Sequence, residues 1–196
     1  TTTAADNIGH TNIALGNSAM FYQKTGCYNI GLGYQSLYGA SAGTTGNYND
    51  AFGYQTGKSL TSGSSNLLLG TQAGMNLTTG TGNLYAGQSV GRCMCDGGYN
   101  VALGYLTLQG STTVSDNTGY ENVAIGKNAG CVTTSGSNNI MIGCAAGQQL
   151  TSGGCNVLMG KGAGDAITTA SNAVAIGQDA LTTEDTLSGS IAIGHN

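Results

Sequence analysis

Charge is the scarcest property of this 196-residue chain. Only 7% of its residues are charged, against about 25% in an average soluble domain. Five basic residues neutralise too few phosphates for nucleic-acid binding. Proline is absent and glycine does not fall at every third position, so a collagen triple helix is excluded. Tryptophan is absent and phenylalanine occurs twice. No apolar run reaches the ~20 residues of a membrane span, so no membrane insertion is expected. The two histidines, His10 and His195, lie near opposite ends, and no serine or cysteine has a local histidine–carboxylate partner pattern. The nine acidic residues are scattered, which argues against paired catalytic carboxylates and against a calcium-binding repeat. The six cysteines, Cys27, Cys93, Cys95, Cys131, Cys144 and Cys155, have no histidines at zinc-binding spacing. Neither an enzyme nor a metal or cofactor site is expected. A net charge of only −4 and aliphatic residues throughout also argue against simple disorder.

What is abundant is glycine, 35 residues of it, and part of it is periodic. A five-residue unit (asparagine, apolar, small or apolar, apolar, glycine) recurs eleven times, with Ala173 and Ser190 in place of asparagine in the last two copies, ending at Gly16, Gly33, Gly53, Gly70, Gly87, Gly104, Gly126, Gly143, Gly160, Gly177 and Gly194. Eight of the ten intervals are 17 residues; the others are 20, from Gly33 to Gly53, and 22, from Gly104 to Gly126. Such a period marks a solenoid or repeat array. Each unit reads as a short strand. The residues one and three before the glycine, such as Val123 with Ile125, share one face and are expected to point into the core; Asp50 is the polar exception. The residue between them faces the other way. It is Ala14, Ala51, Ala102, Ala124, Ala175 or Ala192 in six copies, and Gly31, Leu68, Tyr85, Met141 or Leu158 in the rest. Apolar residues on both faces imply that both faces are covered. After each glycine a second, shorter strand is expected, then a polar turn of the Leu-Thr-Ser-Gly kind at Leu60, Leu77 and Leu150.

The fold class expected is therefore all-β, a parallel β-solenoid of about eleven 17-residue coils over residues 1–196, one repeat domain and a fragment of a longer protein. At about 4.8 Å per coil it extends roughly 50 Å. The thin core this implies, with small residues on the second face, predicts burial against copies of the same chain. The six alanines are the expected oligomer interface, in a homotrimer. Asn12, Asn29, Asn49, Asn66, Asn83, Asn100, Asn122, Asn139 and Asn156 precede the strands. They either stack as a hydrogen-bonded ladder or simply tolerate the bend before each strand.

The units NVAIGKNAG, SNAVAIGQDA and SIAIG resemble the head repeats of YadA-like trimeric autotransporter adhesins. The longer stretch GYQTGKSLTSGSSNLLLGTQAG is similar to repeats of bacteriophage tail fibres. The resemblance implies a left-handed β-roll that trimerises and serves as a rod or display surface on a virion appendage, with a bacterial surface adhesin as the alternative. Six cysteines suit a fibre folded in a reducing cytoplasm. An ice-binding solenoid is a lesser alternative, because the threonines fall in turns rather than in a Thr-x-Thr strand array. Any partner besides the chain itself is expected to be a host-surface glycan or protein. Binding residues concentrate on loops held by a scaffold, and the two longer intervals predict bulges within residues 38–47 and 109–120. These bring Tyr38, Tyr48, Asp116, Asn117 and Tyr120 forward as receptor-binding candidates. Tyrosines at the corners either offer platforms for sugar rings or pack coil on coil.

Overall fold

A computed structural model describes residues 9–182 and 188–195. Within them the chain is a parallel β-solenoid. Eleven three-residue strands form one sheet in chain order: β1 (Ile13–Leu15), β2 (Ile30–Leu32), β3 (Asp50–Phe52), β4 (Leu67–Leu69), β5 (Leu84–Ala86), β6 (Val101–Leu103), β7 (Val123–Ile125), β8 (Ile140–Ile142), β9 (Val157–Met159), β10 (Val174–Ile176) and β11 (Ile191–Ile193). Equivalent positions of the repeat lie side by side, Ile13 on Ile30 and Val123 on Ile140. The longer intervals leave this register intact, since Ile30 still pairs with Asp50 and Val101 with Val123. Their extra residues bulge outside the coil. The first bulge carries a turn closed by the Gly43 N–H on the Ala40 carbonyl at 2.8 Å. The second carries a 3-10 turn, Val114–Asp116.

The glycine ending each strand has φ between 116° and 141°, a region L side chains rarely enter. Space excludes them as well: a Cβ on Gly104 would lie 2.7 Å from the carbonyl oxygen of Gly126 in the next coil. The expected second strand after this glycine does not form. Left-handed residues two and four positions on, such as Gln72 (φ 58°) and Gly74 (φ 56°), turn the chain before it can extend. The segment still bonds coil to coil, with the Gly74 N–H on the Val90 carbonyl at 2.9 Å and the Asn76 N–H on the Arg92 carbonyl at 3.0 Å.

The core reverses the expected facing of the strands. The middle residue points inward: Ala51, Leu68, Tyr85, Ala102, Ala124, Met141, Leu158 and Ala175 are fully buried within the chain. They meet Ala73, Val90, Ala129, Ala146 and Ala163 from the turns after the glycines, and Leu60, Leu77, Met94, Leu150 and Ile167 from the turns before the next strand. The apolar pairs on either side of each middle residue point out. The physical reason is width. A 17-residue coil admits one strand side chain, and two would overfill it. Inside, volumes are traded between facing positions. Large Tyr85 faces Gly91, where a Cβ would come within 2.6 Å of the ring. Leu68 fills the space a Cβ on Gly57 would take, at 2.9 Å. Conversely, the bare Gly31 is covered by Met20, 3.2 Å from where its Cβ would stand, and small Ala102 sits in a coil whose corresponding turn residue is Leu108.

Candidate functional site

A strand three residues long has one inward and two outward side chains, so stacking eleven of them builds two outward columns. One column is Ile13, Ile30, Asp50, Leu67, Leu84, Val101, Val123, Ile140, Val157, Val174 and Ile191. The other runs from Leu15 and Leu32 to Ile176 and Ile193. Asp50 is the only polar side chain in either. In the middle coils these residues shield one another along the sheet and are half-buried, or only just exposed, as at Ile125 (36%) and Met159 (39%). The last coils lack a neighbour, and Ile193 is 74% exposed. The result is one apolar strip running the length of the sheet, far longer than the scattered apolar patches of ordinary monomers.

The proposed alanine interface is therefore corrected. Ala51, Ala102, Ala124 and Ala175 are sealed inside their own coil and meet no solvent, so no neighbouring chain reaches them. Ala14 is exposed and Ala192 half-exposed only because they sit in the end strands. Sequence reading missed the outward columns because both faces are apolar. One signal was available: large strand-middle residues pair with glycine four positions after the strand glycine (Tyr85 with Gly91, Leu158 with Gly164), and four of the small ones pair with a larger residue there (Ala14 with Met20, Gly31 with Leu37, Ala102 with Leu108, Ala175 with Leu181), while Ala51 and Ala124 meet Gly57 and Gly130. Such trading of volume marks positions that share one interior.

The nine asparagines form a ladder along one wall. From Asn29 onward, each Nδ2 donates to the Oδ1 of the preceding asparagine at 2.9–3.3 Å. Each also donates to a backbone carbonyl of the following coil, as Asn49 does to Gly63 at 2.9 Å and Asn156 to Ala170 at 2.9 Å. Asn12 starts the ladder with a bond to the Gly26 carbonyl at 2.8 Å. At the far end the Oδ1 of Asn156 receives the Ala173 N–H at 2.9 Å, so the ladder stops where the repeat loses its asparagine. Asn29 to Asn156 are buried and use their donors and acceptors on one another. That leaves them nothing to offer a ligand.

Tyr38 is half-buried in an aromatic cluster. Its ring stacks on Phe21 with centroids 5.5 Å apart and meets the edge of Tyr22 at 5.1 Å. A hydrogen bond with Tyr22 raises the pKa of its phenol. Asn117 is fully buried. Its Nδ2 donates to the carbonyls of Ser111 (2.8 Å), Cys93 (3.0 Å) and Thr113 (3.1 Å), and its Oδ1 accepts the Ser111 N–H at 2.9 Å. It staples the second bulge to the coil, and as a receptor contact it is corrected. Asp116 and Tyr120 are exposed, Tyr120 at the corner rather than on the bulge. Tyr48 is 60% exposed and stacks on Tyr28 at 5.0 Å with the rings 2° from parallel, as Tyr54 does on Tyr34 at 5.3 Å. The stacked faces are spent on each other, leaving edges and hydroxyls outward.

The six cysteines are free thiols, and burial pushes those of Cys95 and Cys131 up. Asp96 accepts from Thr79 Oγ1 at 2.6 Å and Thr78 Oγ1 at 2.8 Å, and these bonds, Thr79 first, hold its carboxyl below the usual range. Among the described residues no three metal-ligating side chains gather, and no helix is long and apolar enough to cross a membrane. Comparison with protein-family models, with curated proteins and with solved structures found no match.

Proposed function

We propose that this chain is a structural segment of a fibre on a phage or virus particle, a homotrimer of left-handed rolls that acts as a rigid spacer and touches the host surface at its exposed corners. The supporting observation is the apolar strip along all eleven strands. Copies of one chain placed around an axis parallel to the fibre would all turn this strip inward, away from water. That arrangement makes a rod whose length scales with coil number and gives it no catalytic role. The number three and the winding hand come from the resemblance to adhesin and tail-fibre repeats; the strip itself calls for a copy of the chain. The head of a bacterial surface adhesin is the second reading, favoured by units such as NVAIGKNAG. Free cysteines weigh against it, because such a chain crosses an oxidising compartment.

Native mass spectrometry at micromolar concentration tests the assembly. The expected mass is three times the 19.5 kDa of one chain. A stable monomer would overturn the reading. Attachment of the purified assembly to host cells, compared with the same assembly carrying Asp116→Ala and Tyr120→Ser, tests the host contacts; unchanged attachment would leave these residues without a receptor role.

A further inference from the structure

The apolar strip has two long edges, and each is a column of corner residues. One column immediately precedes the strand asparagines: Tyr28, Tyr48, Tyr99 and Glu121 stand there before β2, β3, β6 and β7. The other immediately follows the strand glycines, and at the same four levels it holds Tyr34, Tyr54, Tyr105 and Lys127. All eight side chains are exposed. At these four levels the two edges match, aromatic against aromatic three times and acid against base once, whereas other levels carry unlike pairs, such as Gly82 with Gln88 at β5 and Cys155 with Lys161 at β9. At the level of β4, between them, both edges are small hydroxyls, Ser65 and Thr71.

Contacts within one chain do not require this match. Partners at one level stand at opposite ends of a strand, six residues apart. Stacking within a column accounts for Tyr28 on Tyr48 and for Tyr34 on Tyr54. It gives neither Tyr99 nor Tyr105 an aromatic partner: the Tyr99 ring lies over Gly82, 2.7 Å from where a Cβ would stand, with Glu121 on its other side, and Tyr105 stands between Gln88 and Lys127. A neighbour that brings its opposite edge to the same height does require it. We infer that copies of the chain pack parallel and in one axial register, the edge before the strand of one copy lying against the edge after the strand of the next. This rests on the assembly proposed above, whose axis already sets the copies parallel and at one height, and adds its contacts: three tyrosine clusters and a Glu121–Lys127 ion pair between copies. An antiparallel pair would instead reverse the levels and set tyrosines of one copy against other rows of its partner.

The test is dityrosine cross-linking by a photogenerated one-electron oxidant, applied to assemblies formed jointly from unlabelled and nitrogen-15-labelled chains. Links containing one chain of each isotope are necessarily intermolecular. The expected mixed-isotope link is Tyr99 to Tyr105, lost in Tyr105→Phe. Links of Tyr99 to Tyr99, or an intact assembly without the Tyr99–Tyr105 link, would overturn the register. A wild-type chain that stays monomeric overturns the assembly itself, a separate result read by mass before any oxidant is added. A second measurement uses charge. Lys127→Glu and Glu121→Lys should each weaken assembly several-fold, and mixing the two variants should restore it in part, because a mixed trimer re-forms two of its three Glu–Lys contacts. Equal weakening without rescue on mixing would also overturn the inference.

Discussion

In β7, Ala124 has no exposed surface, while Val123 and Ile125 on either side of it face outward and Ile125 is 36% exposed. The two faces of this strand are both apolar, yet they do different work. The inner face is filled tightly, with Met141 and Leu108 of the neighbouring coils occupying the space beside Ala124 and Gly130. The outer face is aliphatic but unmatched within the chain, a surface prepared for something flat and equally apolar. Burial inside a coil is thus a condition of folding, and burial outside it would be a condition of the proposed assembly.

Substitutions on the two faces separate these conditions. The largest effect is expected for Ala124→Glu, which puts an unpaired carboxylate inside a closed coil at a cost of several kcal/mol. The chain should lose its β-sheet circular dichroism. A folded Ala124→Glu variant would show that the inner face has been misassigned. One residue away, Ile125→Glu should keep the circular dichroism of the monomer and abolish assembly, with a loss of about 100-fold or more in association constant from ~3 kcal/mol. Parallel loss of fold in both variants would erase the contrast between the faces.

Asn100→Ala removes a rung of the ladder and leaves the Gly119 carbonyl, bonded to it at 2.9 Å, without its donor. Urea unfolding should show a loss of about 2–3 kcal/mol, smaller than the buried charge but larger than any exposed substitution. Asp50→Leu should act in the other direction. Asp50 is the one polar residue in the outer columns, and replacing it should raise the melting temperature of the assembly by a few degrees while leaving a dissociated chain unchanged.

The smallest effect lies at Asp96. Its folded carboxyl titrates below the ordinary 3.8 because Thr79 and Thr78 bond the ionised form. Its contribution is therefore present above the unfolded pKa and lost as pH falls through the lower folded one. Thr79→Ala should raise the Asp96 pKa, followed by carbon-13 NMR, and flatten the loss of stability below pH 4.

Much of this was readable in advance. The eleven glycines at one spacing imply coils, since a residue recurring every 17 positions at one strand end must meet its own copy. Val123 three residues before Gly126, and Ile140 three before Gly143, predict parallel pairing in the register observed. The asparagine ladder was one of two outcomes open, and the buried site decided between them, because an amide shut away from water must find partners. The candidate site was less legible. Asn117 looked like a loop residue free to bind, but its local sequence does not reveal that it turns inward and bonds three carbonyls. The matching of Tyr99 to Tyr105 across the strip lay in the sequence, but it had no meaning until both were placed at one level on opposite edges.

The sequence by itself determined the period, the short strand, the glycine corner and the parallel stacking, because each follows from a spacing and from backbone conformations only certain residues adopt. Only the tertiary structure decided which face of the strand is inside. Alternation with period two assigns a face when one side is polar. Here Val123 and Ile125 are as apolar as Ala124 is small, and the choice fell to the width of the coil, which closes around one strand side chain and turns the other two toward whatever lies outside.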